Sequence, residues 1–227
     1  MGNMTKAGQI VIAFLLSVFA ARADLTLEQA SSDTNHTQLG TIKLHANMMR
    51  LDQPGLGFSV IVNLRTRDSY TLLTNKTYLM KFGTEVKWEM DEERKYTHGT
   101  NEMDKPPAPA TATGRSEKVN GRKAELYTWS GANGLKETLW VDREYPNFQA
   151  IRMELAILDR FNEGGPHPNA QPLLSLLPGM VLRSVTQAPG HSLTNALLSV
   201  NLDTLDAALF EIPKDYKLYE RSQSKSP

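Results

Sequence analysis

The sequence contains no cysteine. That excludes disulfides, thiolate nucleophiles and cysteine-bearing metal sites, and it leaves no cysteine to carry an acyl anchor. An excess of charge is missing too: 25 basic residues balance 25 acidic ones over 227 residues. Such a balance offers no handle for nucleic acid or an anionic lipid surface, so nucleic acid is not an expected partner. No apolar run reaches the roughly 20 residues that a membrane-spanning helix needs. No phosphate-binding loop is present, because Gly131-Ala132-Asn133-Gly134 bridges two strand signals and opens no helix. The histidines, at 36, 45, 98, 167 and 191, include no i, i+4 pair of the helical zinc type. No segment repeats another.

Three local patterns approach chemistry and stop short of it. Gly190-His191-Ser192 begins like a nucleophile elbow, but Thr194 stands where the trailing glycine belongs. His45, Met48 and Met49 could suggest a copper(I) site, yet strand alternation lets at most two of them converge. Asp91-Glu92-Glu93, followed by Arg94-Lys95, reads as a solvated charged face. The chain is therefore read as non-catalytic. No catalytic residue, metal ligand or cofactor is expected.

What the sequence does contain begins with a targeting segment. Lys6 precedes the short apolar core Gln9–Ala20, and Ala21-Arg22-Ala23 fits a small-x-small cleavage pattern. Residues 1–23 are read as a signal peptide, with Asp24 first in the mature chain. Cleavage removes Lys6 and Arg22 and no acid, so the mature chain becomes slightly acidic. The mature chain is not expected to span a membrane. An exported chain without disulfides fits a periplasm, where its core alone must hold it. Asn35-His36-Thr37 and Asn75-Lys76-Thr77 match the glycosylation triplet, which matters only in a eukaryotic secretory pathway.

Residues 24–227 read as one α+β domain. Asp24–Gln38 is polar, and a short helix fits around Leu25–Ala30 with a loop after it. Gly40–Asp52 alternates, with Ile42, Leu44, Ala46 and Met48 on one face, and reads as one strand. Phe58, Val60, Val62 and Leu64 repeat the alternation, and strands over Tyr70–Leu73 and Thr77–Phe82 complete a meander. Lys87–Arg94 fits a helix with Trp88 as its apolar contact. Residues 101–118 carry a Pro/Ala/Thr run from Lys105 to Gly114 and read as an exposed loop that no sheet enters. Asn120-Gly121 then predicts a hairpin, with strands over Arg122–Trp129 and Leu135–Asp142.

Phe148, Ile151, Leu155 and Leu158 switch to helical spacing, so Pro146–Phe161 predicts the one main helix, stopped by Gly164-Gly165-Pro166. Leu173–Leu177 is an apolar run too short to be helical alone. Met180–Gln187 and Asn195–Asp203 close the sheet, the latter with Ala196, Leu198, Val200 and Leu202 on one face. A one-turn helix and the phrase Phe210-Glu211-Ile212-Pro213-Lys214-Asp215-Tyr216 follow. About seven to nine antiparallel strands are expected.

The order of these elements resembles an uncharacterised bacterial periplasmic family compared with LolA, LppX and RseB. The residues that carry the likeness are Phe210-x-Ile212-Pro213-x-x-Tyr216-Lys217 and the hairpin from Gly121 to Trp140. The resemblance implies an open antiparallel half-barrel whose concave side is plugged by helix. In several such proteins the cavity holds acyl chains. The helix face and the Leu173–Leu177 run are then either ordinary core or the plug and lid over a cavity. The candidate lining is Phe58, Val60, Val62, Ile151, Leu155, Leu198 and Val200. Two functions stay open: a carrier or sensor for an apolar or lipidic ligand, and a structural or protein-binding module that recruits an envelope protein partner.

Overall fold

The computed structural model describes residues 24–73, 78–82, 109–131, 135–163, 172–188 and 190–218. The expected signal peptide, the helix at Lys87–Arg94, the first part of the expected loop at 101–108 and the glycine stop at 164–166 lie outside these residues.

All described strands join one sheet. In chain order they are β1 (Leu25–Ser32), β2 (Thr37–His45), β3 (Met48–Gln53), β4 (Phe58–Asn63), β5 (Ser69–Leu73) and β6 (Tyr78–Phe82). After these come β7 (Thr111–Val119), β8 (Arg122–Ser130), β9 (Lys136–Asp142), β10 (Met180–Ala188), β11 (His191–Asn201) and β12 (Lys217–Leu218). Spatial order is β12-β6-β5-β4-β3-β2-β1-β11-β10-β9-β8-β7. Two antiparallel meanders thus meet where β1 pairs with β11. Only β12, which lies parallel to β6, departs from the antiparallel rule. The sheet stays open, and bulges in β11, β10 and β7 bend it. The fold is the expected α+β class, a curved open antiparallel sheet with one main helix, α1 (Phe148–Glu163). Twelve strands replace the expected seven to nine.

Three extra strands come from segments read otherwise. Residues 25–32 form neither helix nor loop but β1, at the centre of the sheet. Leu25 and Leu27 are buried with Thr26 and Glu28 turned away, but the next inward positions hold Gln29 and Ser31, which hides the alternation. Residues 40–52 are two strands, not one. A two-residue turn at Ala46-Asn47, with Ala46 at φ 53°, reverses the chain and carries no glycine to announce it. Met49 therefore lies opposite Leu44, and Met48 shares the face of His45. Residues 111–118, assigned to an exposed loop, are exposed but form the edge strand β7. Among the described strands β7 pairs with β8 alone, so it stands at the edge of the sheet. Gly114, at φ 75°, sits in the register break between Ala112 and Ser116 and takes up the kink. The hairpin turn lies at Asn120-Gly121, as its sequence predicts, with both residues at positive φ.

The two faces of the sheet are covered differently. On the front, α1 buries Phe148, Ile151 and Leu155 in one cluster with Leu25, Leu27 and Leu44. A short turn at Leu174–Leu176 packs beside it. The buried Asp159 of α1 accepts the Leu174 and Ser175 N–H groups at 3.1 and 2.7 Å, while Arg152 Nε donates to Ser175 O at 2.7 Å. The back of β2 to β5 is crossed by the C-terminal segment. Asp206 caps a helical turn, Ala207–Phe210, through the Ala208 N–H at 2.9 Å. Phe210 is buried and stacks on His45, with ring centroids 5.6 Å apart. Ile212 and Tyr216 pack on Ile61 and Leu72, and β12 then pairs with β6.

Candidate functional site

A cavity of about 370 Å³ lies between α1 and the front of the sheet. Its size falls within the ~300–1,000 Å³ of small-molecule sites. Leu27, Ile42, Met49 and Leu51 line it from β1 to β3, and Leu139, Leu182 and Leu197 from β9 to β11. Leu155 and Leu158 reach it from α1, and Leu174 from the turn beside it. Cross-strand register makes this lining continuous: Leu27 is paired with Ile42, and Ile42 with Leu51.

A polar band runs along the apolar wall. Glu137 faces Thr186 across β9 and β10, Ser184 faces Asn195, and Asn195 faces Ser31 on β1. Gln29 is the next inward residue of β1 after Leu27. Ser31 Oγ donates to Asn195 Oδ1 at 2.6 Å, and Asn195 Nδ2 lies 3.5 Å from Ser184 Oγ. Thr186 Oγ1 stands 3.4 Å from Glu137 Oε1. Burial raises the Glu137 carboxyl above the usual carboxylate range, and the Ser184 and Thr186 hydroxyls only partly oppose it. Gly40 leaves room for the Gln53 side chain, whose amide would stand 2.6 Å from an added Cβ.

Of the seven residues expected to line a cavity, Leu155 does so. Ile151 is fully buried on the inner side of α1, in the core rather than the cavity wall. Phe58, Val60 and Val62 are on β4 and register with Gln53, Leu51 and Met49, on the front face but one strand beyond the cavity. Val200 packs against the α1 core cluster. Leu198 is a correction: it is 54% exposed. The β1–β11 register passes from Glu28↔Ser199 to Gln29↔Leu197 and skips Leu198, which is the bulged residue. The bulge shifts the phase of β11, so Leu197 lines the cavity in its place. The polar band is hidden in the sequence because polar residues at inward positions look like a break in the strand pattern. Their signal is alternation that continues with Gln29 and Ser31 after Leu25 and Leu27.

The remaining chemical patterns stay apart from the cavity. Gly190-His191-Ser192 opens β11, a strand where a nucleophile elbow needs a helix. Among the described residues no three His, Asp or Glu side chains gather as a metal site. Trp140 donates Nε1 to Glu117 at 2.9 Å beneath the Arg183 guanidinium, 3.8 Å from the ring centroid, an arrangement that packs rather than reacts. Among the described residues no helix is long and apolar enough to cross a membrane.

Neither a protein family nor a curated protein matches the sequence. A solved structure shares its fold. An uncharacterized conserved protein from Thermus thermophilus superposes with a TM-score of 0.51 at 10% identity, over 88% of this chain and 92% of that one. Weaker likenesses are to PNGF-II, with a TM-score of 0.40 at 14% identity, where 88% of this chain covers 31% of that one. A DUF1329 family protein from Desulfovibrio piger gives 0.34 at 10% identity, over 84% and 90%. At such identity the likeness to the Thermus protein is one of fold.

Proposed function

We propose that this is a non-catalytic, exported carrier or sensor that holds an apolar or lipidic ligand between α1 and the front of the sheet. The observation that supports it is the cavity itself, whose apolar wall spans six strands and the one main helix. Burying an alkyl chain there gains about 0.8 kcal/mol per methylene, so affinity needs no charged contact. The reading agrees with the LolA-like architecture suggested by the sequence, in which helix plugs an open half-barrel.

The test is fluorescence of N-phenylnaphthylamine, an uncharged apolar dye. Enhancement is expected with the native protein and a marked reduction with Leu158→Trp, which fills the cavity from the half-buried side of α1. No enhancement, under conditions where a known lipid carrier gives one, ends this proposal. The second reading, a protein-binding module, has the exposed edge strand β7 in its favour. Its charged Arg115, Glu117 and Lys118 and its kink at Gly114 are the devices that keep an edge from pairing, so we place it second. Native mass spectrometry of protein from its own source separates the two, by a lipid or a protein partner retained.

A further inference from the structure

Charge is unevenly committed along the cavity. Three charged residues lie on it: Glu137, Asp159 and Arg183. Asp159 already accepts two backbone N–H groups. Arg183 turns its guanidinium to the opposite face, over Trp140 and 3.4 Å from Glu117. Glu137 lies between Thr186 and the buried Trp129 of the neighbouring strands; its carboxyl meets the hydroxyls of Ser184 and Thr186, and among the described residues no cation pairs with it. Beside it, the amides of Gln29 and Asn195 and the Ser184 hydroxyl are neutral.

We propose that the cavity selects amphiphiles whose polar end is a hydrogen-bond donor, neutral or cationic, such as an alkyl amine, alcohol or amide, and rejects those ending in a carboxylate or phosphate. This rests on the reading of the cavity as an apolar-ligand site. A donor head satisfies the under-solvated Glu137 oxygens and completes the polar band. An anionic head meets a like charge in a partly water-excluded place, and among the described residues no lysine or arginine side chain is aimed at it. Repulsion of this kind is how a site rejects a partner of similar shape.

The experiment displaces N-phenylnaphthylamine with dodecylamine, dodecanol and dodecanoate at neutral pH, each below its micelle-forming concentration. The chain is constant, so the head alone decides the ranking. The amine and the alcohol are expected to displace the dye at concentrations about tenfold below the carboxylate, one decade in dissociation constant. Glu137→Gln, checked by circular dichroism, should close that gap by improving dodecanoate and weakening dodecylamine. Dodecanoate equal to or better than the amine in the native protein overturns the proposal, as does a gap that Glu137→Gln leaves unchanged. If the variant fails to fold, the native ranking decides alone. Absence of dye binding overturns the apolar-ligand reading itself, whereas dye binding with the reverse ranking overturns only the choice of head group.

Discussion

Two carboxylates on opposite faces of the sheet, Asp52 and Glu137, answer burial in opposite ways. Burial is the largest influence on both, and it acts upward on both. At Asp52, on the back, Lys43 Nζ, Arg50 Nε and Ser59 Oγ each donate at 2.7 Å and outweigh it, holding the carboxyl below its ordinary value. At Glu137, on the front, two hydroxyls do not, and the carboxyl stays raised. The difference is one of completion. The back face is closed by the chain's own tail: Arg50 reaches on from Asp52 to Leu209 O at 2.7 Å, and Phe210 seals the ring of His45. The front face keeps a cavity and an unfinished set of donors. The chain thus completes one face with its own tail and leaves the donor set of the other incomplete.

The tail is the first place to break this difference. Phe210→Ala removes a buried aromatic that nothing nearby replaces, and should cost about 3 kcal/mol. A lower urea midpoint at unchanged slope is the expected result. Dye binding at the front should survive in whatever fraction stays folded. Loss of dye binding in protein that is still folded would show that the two faces are not independent.

The neighbours Leu197 and Leu198 sharpen the front. Leu197 lines the cavity, while Leu198 is bulged outward. Leu197→Asp should destabilise by about 2 kcal/mol, because it sets a carboxylate against apolar wall, and should abolish dye binding. Leu198→Asp should change stability by less than about 0.5 kcal/mol and leave the dye bound. Equal effects at the two positions would place the bulge elsewhere.

That pair also marks where the sequence stops being legible. Helical spacing located α1, and Asn120-Gly121 located its hairpin, because both signals are local. The order of the strands is not local: β1 and β11 pair across most of the chain, and no periodicity in either names the other. A bulge is worse, since one unpaired residue inverts the face of everything beyond it. The alternation Ala196, Leu198, Val200 is genuine in the sequence and misleading in the fold. The lining is hard to read for a related reason. A cavity wall holds polar residues where a dry core would hold leucine, so Gln29, Ser184 and Asn195 looked like interruptions.

On the back face, Asp52→Asn should cost about 1.5 kcal/mol at neutral pH, since two cations lose a charged acceptor. Against burial, which acts upward, the Lys43, Arg50 and Ser59 donors hold the folded-state pKa of Asp52 below the ordinary aspartate value. Its contribution is therefore present above that value and lost as pH falls through the lower folded one. The gap between parent and variant, measured by urea melts, should be full at pH 7 and narrow below about pH 4. A gap independent of pH would mean that the loss comes from packing and not from the ion pairs.

The smallest effect has the opposite sign. Burial holds the folded-state pKa of Glu137 above the ordinary glutamate value, so folding favours its protonated form. Its contribution is most favourable below that ordinary value and declines as pH rises through the folded pKa, above which the charged carboxylate is a burden. Glu137→Gln keeps the shape and removes the charge, while Ser184 and Thr186 can still meet the amide. The variant should melt above the parent at pH 7, by about 2 °C or less, and level with it at pH 4. Scanning calorimetry at the two pH values reads both. A substitution that stabilises the empty protein while erasing its preference among head groups is what a binding residue produces, because the strain it relieves is the strain a ligand would relieve. A variant less stable than the parent at pH 7 would mean that Glu137 already has the partner assigned here to the ligand, and that the front face is as complete as the back.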